Sequence, residues 1–368
     1  MRIKELDGLR GIAVLAVITE HYLAWVPGSS LRYGWLGVDL FFVLSGFLIT
    51  SILLDLRNQE HYFGVFYARR ALRIFPPYFL GILVYLGFSI EQGKPGSWSL
   101  WLRYILYYSS LLPNQPPELI AVSPVLPVAV VLGLAVLWSL SVEEVYYTIW
   151  APVVRWTSHK GFATILLGMI VAAPVLRWWM HGPDYHELLT FYCRMDGLAY
   201  GSAVALLIHD RRRDAKKWLG IDTWIDRLGI VLLPATAIFW LATHGDRMTV
   251  LVDTVGIVMA DLSFAVVVHA LVRRADGNKI WVRMFRARWL RSVGMISYSL
   301  YLFHYPLRYL AIQIGERLHL SGRTEAVTGT LLGLVLSFSV AYGLWYGMES
   351  RILRWKDRRV PSPAHPGG

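Results

Sequence analysis

Ten blocks of apolar residues divide the chain, at about 8–26, 35–54, 76–91, 125–152, 162–180, 188–208, 228–243, 249–272, 293–314 and 326–348. Each is near the length of about 20 residues that a helix needs to cross the bilayer hydrocarbon. The pattern predicts an all-α, polytopic integral membrane protein of about ten transmembrane helices. Composition agrees, with 55% hydrophobic and 17% charged residues, where soluble domains run at about 45–50% and about 25%. One membrane domain over residues 1–359 is expected, followed by a disordered tail at 360–368 with three prolines and a terminal Gly-Gly. The stretch Trp98–Leu112 is short and polar and reads as an interfacial or re-entrant helix, with Trp98, Trp101, Tyr104, Tyr107 and Tyr108 at headgroup level.

The net charge of +11 invites a nucleic-acid reading, but the basic residues fall between the apolar blocks. Of the 36 Lys and Arg, 27 lie in one set of alternate connections, which predicts a cell-membrane protein with both termini cytoplasmic and no nucleic-acid partner. The single cysteine, Cys193, excludes a disulfide framework, a thiolate zinc cluster and a two-thiol redox motif. No metal is expected. No internal repeat is evident, which weakens a transporter built on inverted repeats.

Ionisable residues inside the blocks carry the functional information, because each costs about 2.5–3.5 kcal/mol to insert. Arg10 and His21 in the first block are eleven residues apart, which puts them about 20° apart around a helix and about 16 Å apart along it. Asp7 shares that helix. Asp39, in Gly37–Leu48, is expected at the depth of His21, where a carboxylate orients an imidazole and stabilises its cation; a helix cap near the headgroups is the other reading. Ser45 and Gly46 in the same segment suit close helix packing. Arg69, Arg70 and Arg73 precede Pro76-Pro77, a pair that fits the first turn of a helix. An arginine fork at a helix N-terminus suits phosphates, while composition alone favours ordinary positive-inside anchoring. Glu143 and Glu144, in Trp138–Tyr147, cannot both face lipid, so they are catalytic or pair with an interior arginine. Arg194, Asp196, Tyr298, Tyr301 and His304 are lesser candidates.

Together these segments resemble the membrane acyltransferase 3 family, which includes O-antigen, exopolysaccharide, Nod-factor and macrolide O-acyltransferases. The resemblance rests on Leu6-Asp7-Gly8-Leu9-Arg10-Gly11 through His21, on Gly37–Leu48, on Arg70-Ala71-Leu72-Arg73, on Trp138–Tyr147 and on Ser297–Pro306. Where the family often has Glu, a basic residue and Pro, this chain has Glu349-Ser350-Arg351, so no role is carried over to Glu349. The resemblance implies transfer of an acyl group, commonly acetyl, from acyl-CoA (acetyl-CoA) to a hydroxyl of a glycan, lipid-linked sugar or small-molecule acceptor, within a shell of membrane lipid. His21 is then the expected general base, oriented by Asp39 or Glu143. Arg10, Arg69, Arg70 and Arg73 are the expected donor-binding residues. The alternative is a proton-coupled transporter or flippase of lipid-linked glycans, with the same groups as a proton relay.

Overall fold

A computed structural model describes residues 3–23, 33–112, 127–182, 186–244, 249–275 and 277–360. Residues 361–368 of the expected tail lie outside these. All regular structure among the described residues is helical: α1 (Lys4–Leu23), α2 (Leu36–Leu56), α3 (Tyr62–Glu91), α4 (Trp98–Ile105), α5 (Val128–Ala135), α6 (Trp138–Trp156), α7 (His159–Met180), α8 (Phe191–Arg213), α9 (Ala215–Ala242), α10 (Ile257–Arg273), α11 (Ile280–Phe285), α12 (Arg288–Arg317), α13 (Gly322–Leu344) and α14 (Ser350–Arg359). Among the described residues, helix occupies most of each of the ten apolar blocks. Seven helical stretches among the described residues are long and apolar enough to cross a membrane: α2, α3, α5 with α6, α7, most of α9, α10 with its leading turn, and α13 with α14. The chain is therefore an all-α polytopic membrane protein. The stretches α1, α8 and α12 are of comparable length but carry the polar residues discussed below.

Apolar side chains lie on the outside. Ile230, Val231, Ile238 and Leu241 of α9 and Leu167, Val171 and Val175 of α7 are exposed, as lipid-facing surfaces require. Polar residues lie inside. Small residues let the central helices approach closely. On α2 and α8, a β-carbon on Gly46 would stand 2.0 Å from the carbonyl oxygen of Leu198, and one on Gly201 1.9 Å from that of Val43. The α1–α12 contact is equally tight, since a β-carbon on Gly294 would stand 1.8 Å from the Asp7 carbonyl oxygen.

Three local features differ from expectation. Pro76 and Pro77 lie inside α3 rather than in its first turn, because the helix begins at Tyr62. There is thus no helix N-terminus at the arginine fork. The prolines instead leave the carbonyls of Leu72 and Arg73 without intrahelical donors, and Tyr298 Oη donates to the nearby Ile74 carbonyl at 3.1 Å. The apolar block 125–152 is broken at Val136–Leu137, between α5 and α6. The buried Val136 carbonyl accepts from Tyr301 Oη at 2.9 Å and Ser139 Oγ at 3.3 Å, which is how a broken helix survives at membrane depth. The Trp98–Leu112 stretch forms only the eight-residue α4 and a single 3-10 turn, too short to span. Trp98 is exposed as expected, but Trp101, Tyr104 and Tyr107 are buried, with the Tyr107 ring stacked 4.2 Å from that of Tyr78.

Two π turns interrupt the long helices, at Val252–Gly256 ahead of α10 and at Trp345–Glu349 between α13 and α14. Each holds a buried carboxylate, Asp253 and Glu349. Such turns occur frequently at functional sites.

Candidate active site

Helices α1 and α12 run side by side in the same direction, with Asp7 against Gly294, Arg10 Nη2 donating to Ser297 Oγ at 3.3 Å, and His21 meeting His304. That register creates a histidine pair. His304, fully buried ahead of Pro306, has Nδ1 2.8 Å from the Tyr301 carbonyl oxygen. A carbonyl only accepts, so Nδ1 carries the hydrogen and the neutral ring presents its lone pair on Nε2. His21 Nδ1 lies 2.6 Å from that Nε2 and is therefore the donor. One backbone carbonyl thus sets both tautomers and leaves the lone pair of His21 on Nε2. The rings of His21, His304 and Tyr305 are nearly parallel, with His21 4.5 Å from Tyr305. Below His304, Tyr22 Oη donates to its carbonyl at 2.8 Å and lies 2.7 Å from Ser337 Oγ. His21 lines a cavity of about 160 Å³ with Glu20, Trp35, Trp138, Arg194, Tyr301 and Tyr305.

About 16 Å along α1 from His21, at the level of Arg10, a second group of side chains converges. Arg70 lies between two carboxylates, with Nη2 3.7 Å from Glu143 and Nε 3.4 Å from Glu144, and its guanidinium stacks on Tyr147 at 3.5 Å. Ser45 Oγ donates to the other oxygen of Glu143 at 2.5 Å. Arg10, Arg73 and Asp7 stand within electrostatic reach of this group. Arg73 is open to solvent, while Arg70, Glu143 and Glu144 are only partly covered. Arg69 stands apart. Its Nη1 donates to the Val360 carbonyl and its Nη2 to Asp357, both at 2.8 Å, on the α14 side.

Asp39 does not sit at the depth of His21. Gly37, two residues before it, packs on Ala13 and Val17, one to two turns along α1 from His21 toward Arg10. The antiparallel register of α1 and α2 therefore carries Asp39 past the imidazole. Its carboxylate pairs with Arg194 in a sealed network where Arg177 holds Asp196 through two hydrogen bonds of 2.9 and 2.7 Å. Glu143 likewise belongs to the Arg70 group, and the observed partner of His21 Nδ1 is His304.

Sequence reasoning gave His304 a lesser place and carried no role over to Glu349. Glu349 Oε1 accepts from Ser299 Oγ at 2.6 Å, and the arginines in its electrostatic environment are Arg73 and Arg10. A carboxylate closing a long apolar block was the available signal. The serines of the Trp138 segment were read only as part of a motif. In the structure Ser139 meets Tyr301 and Ser141 Oγ donates to the Tyr107 carbonyl at 2.6 Å, so they fasten α6 to its neighbours.

The fold and this site define a membrane protein with a histidine pair on a small cavity at one level and an arginine-carboxylate group at another. The chain belongs to the family whose profile is described as an acyltransferase domain, which matches residues 3–346. Among curated relatives, the peptidoglycan O-acetyltransferase OatA of Listeria monocytogenes is 27% identical over 85% of this chain and 50% of its own length. The O-acetyltransferase OatA of Staphylococcus aureus is 26% identical over 82% of this chain and 50% of its own length. The chain thus spans about half the length of the curated relatives it matches. No solved structure matches it significantly.

Proposed function

We propose that the chain is a membrane O-acetyltransferase that takes an acetyl group from acetyl-CoA and passes it to a hydroxyl of a glycan. The names of the relatives support acetyl as the group and peptidoglycan as the type of acceptor. The observation that carries the chemistry is the His21–His304 pair, because its hydrogen bonds put a basic nitrogen on a cavity-lining ring. In this reading Arg10, Arg70 and Arg73 receive the phosphates of the donor from the cytoplasm, with both termini on that side. The roughly 16 Å to His21 is spanned by the donor's thioester-bearing arm.

Catalysis then needs one proton acceptor and no covalent enzyme intermediate. His21 Nε2 takes the proton of the acceptor hydroxyl as its oxygen attacks the thioester carbonyl. The new C–O bond forms, the C–S bond breaks, and the proton on Nε2 passes to the departing thiolate. His304 holds the ring and stabilises the transient imidazolium through its Nε2, as an orienting partner does in other acyl-transfer sites. Membranes carrying the chain, incubated with acetyl-CoA labelled in the acetyl group, are expected to transfer label to the glycan fraction. A chain that leaves all label in acetyl-CoA while moving lipid-linked glycan across the membrane refutes the reading and favours a flippase.

A further inference from the structure

Among the described residues, a cluster of ligating side chains outside that site is not used by the proposed chemistry. His181 follows α7, Glu187 lies in the 3-10 turn His186–Leu189, and Asp253 lies in the π turn Val252–Gly256. One ligand atom from each falls within 4.8 Å of the other two. His181 Nδ1 is 3.1 Å from an Asp253 oxygen and 3.6 Å from a Glu187 oxygen. Three ligands bound at about 2.0–2.2 Å to one tetrahedral ion stand at about these separations from one another.

Two further observations point to a cation. Asp253 is 0% and Glu187 4% exposed, and Asp253 Oδ1 and Glu187 Oε1 have no hydrogen-bond partner. Buried carboxylate oxygens in that state are expensive unless a proton or a cation serves them. The surroundings sharpen the point. Asp39 and Asp196 are also buried, and each has its own guanidinium, Arg194 for Asp39 and Arg177 for Asp196. Those two arginines are engaged elsewhere, and within the cluster two buried carboxyl groups share one histidine, a set that a divalent ion completes.

We propose that His181, Glu187 and Asp253 form a divalent metal site, with zinc as the ion that its one imidazole and two carboxylates suit. The site sets aside the expectation, drawn from sequence, of a protein without metal. Sequence spacing hid it because Asp253 is 72 residues from His181 and reaches the others only through the π turn. Its role is to fasten the turn after α7 to the head of α10. Leu188 and Leu189, directly after Glu187, line the same cavity as His21, so the ion fixes one wall of that cavity without touching the reacting atoms.

The test uses the untagged full chain in detergent, stripped with EDTA, equilibrated with zinc chloride alone and desalted. Wild type is expected to retain about one zinc per chain by elemental analysis, with a higher melting temperature than the stripped protein. Asp253→Asn removes one ligand charge of the two that share the histidine. It is expected to lose the zinc and the zinc-dependent rise in melting temperature, while its stripped form melts no lower than stripped wild type. His181→Ala, at a partly exposed position, is expected to lose the zinc as well. Equal zinc retention by wild type and both variants, or no retention by wild type, overturns the site. None of these readouts depends on acyl transfer, so a failure here is distinguishable from a failure of the proposed function.

Discussion

Two of the arginine-carboxylate groups in this membrane protein are built in opposite ways. Around Arg70 the ion pairs are long, 3.4 and 3.7 Å, and the side chains keep 13–15% of their surface exposed. Around Arg177 the pair is short, 2.7 Å, and both side chains are 0% exposed. The loose group leaves its guanidiniums able to exchange protein carboxylates for the phosphates of a ligand. The tight one has no access and no spare geometry, and its arginine also holds the Cys193 carbonyl. The two groups share their charge types, and ion-pair length and exposure set them apart. His21 stands between them, on a cavity whose wall includes Arg194 of the sealed network.

The largest expected effect comes at that junction. His21→Gln keeps a donor for His304 but cannot take up a proton, so acetyl transfer should fall by about 10²–10⁴-fold with thermal stability near wild type. Transfer within a few-fold of wild type by a well-folded variant would return His21 to a structural role. His304→Gln should lose less, because it orients the base without touching the substrate. Its loss should appear in the maximal rate and leave the Michaelis constant for acetyl-CoA unchanged.

The sealed network is next. Arg177→Met leaves Asp196 buried without its cation and should cost about 3–5 kcal/mol of stability, read as a fall in melting temperature and in yield. Adding Asp196→Leu removes the orphaned charge and should recover much of that loss. If the single variant melts like wild type, the network is not a lock. The open group should respond in the other currency. Arg70→Ala is expected to raise the Michaelis constant for acetyl-CoA about tenfold, the value of one charge-assisted hydrogen bond, with little change in melting temperature.

How much of this was legible in the sequence follows the same division. The apolar blocks placed helices correctly because each helix must satisfy its own backbone in lipid, and the spacing of Arg10 and His21 on α1 needed only helical geometry. What the sequence did not disclose was register between helices. Asp39 was set beside His21, and the α1–α2 packing at Gly37 moved it to Arg194 instead. Pro76 and Pro77 suggested a helix start, and tertiary packing carried α3 through them. Arg177, Asp253 and Glu349 acquire meaning only from partners far away in the chain or from π turns, neither of which leaves a periodic trace.

The smallest expected effect tests the comparison most finely, because it separates neighbours in one motif. Arg69, Arg70 and Arg73 are three cations within five residues of one helix, and sequence alone assigns them alike to the donor. A helix spreads successive residues by about 100°, so Arg69 and Arg70 leave it in different directions. The structure turns Arg70 onto Glu143, Glu144 and Tyr147, while Arg69 ties α3 to Asp357 and the Val360 carbonyl. Asp357 is 59% exposed, and a pair that open contributes about 0–1 kcal/mol. Arg69→Ala should therefore change the Michaelis constant for acetyl-CoA by less than about twofold. A rise matching that of Arg70→Ala would place Arg69 in the donor site and require α14 to move aside when the donor binds.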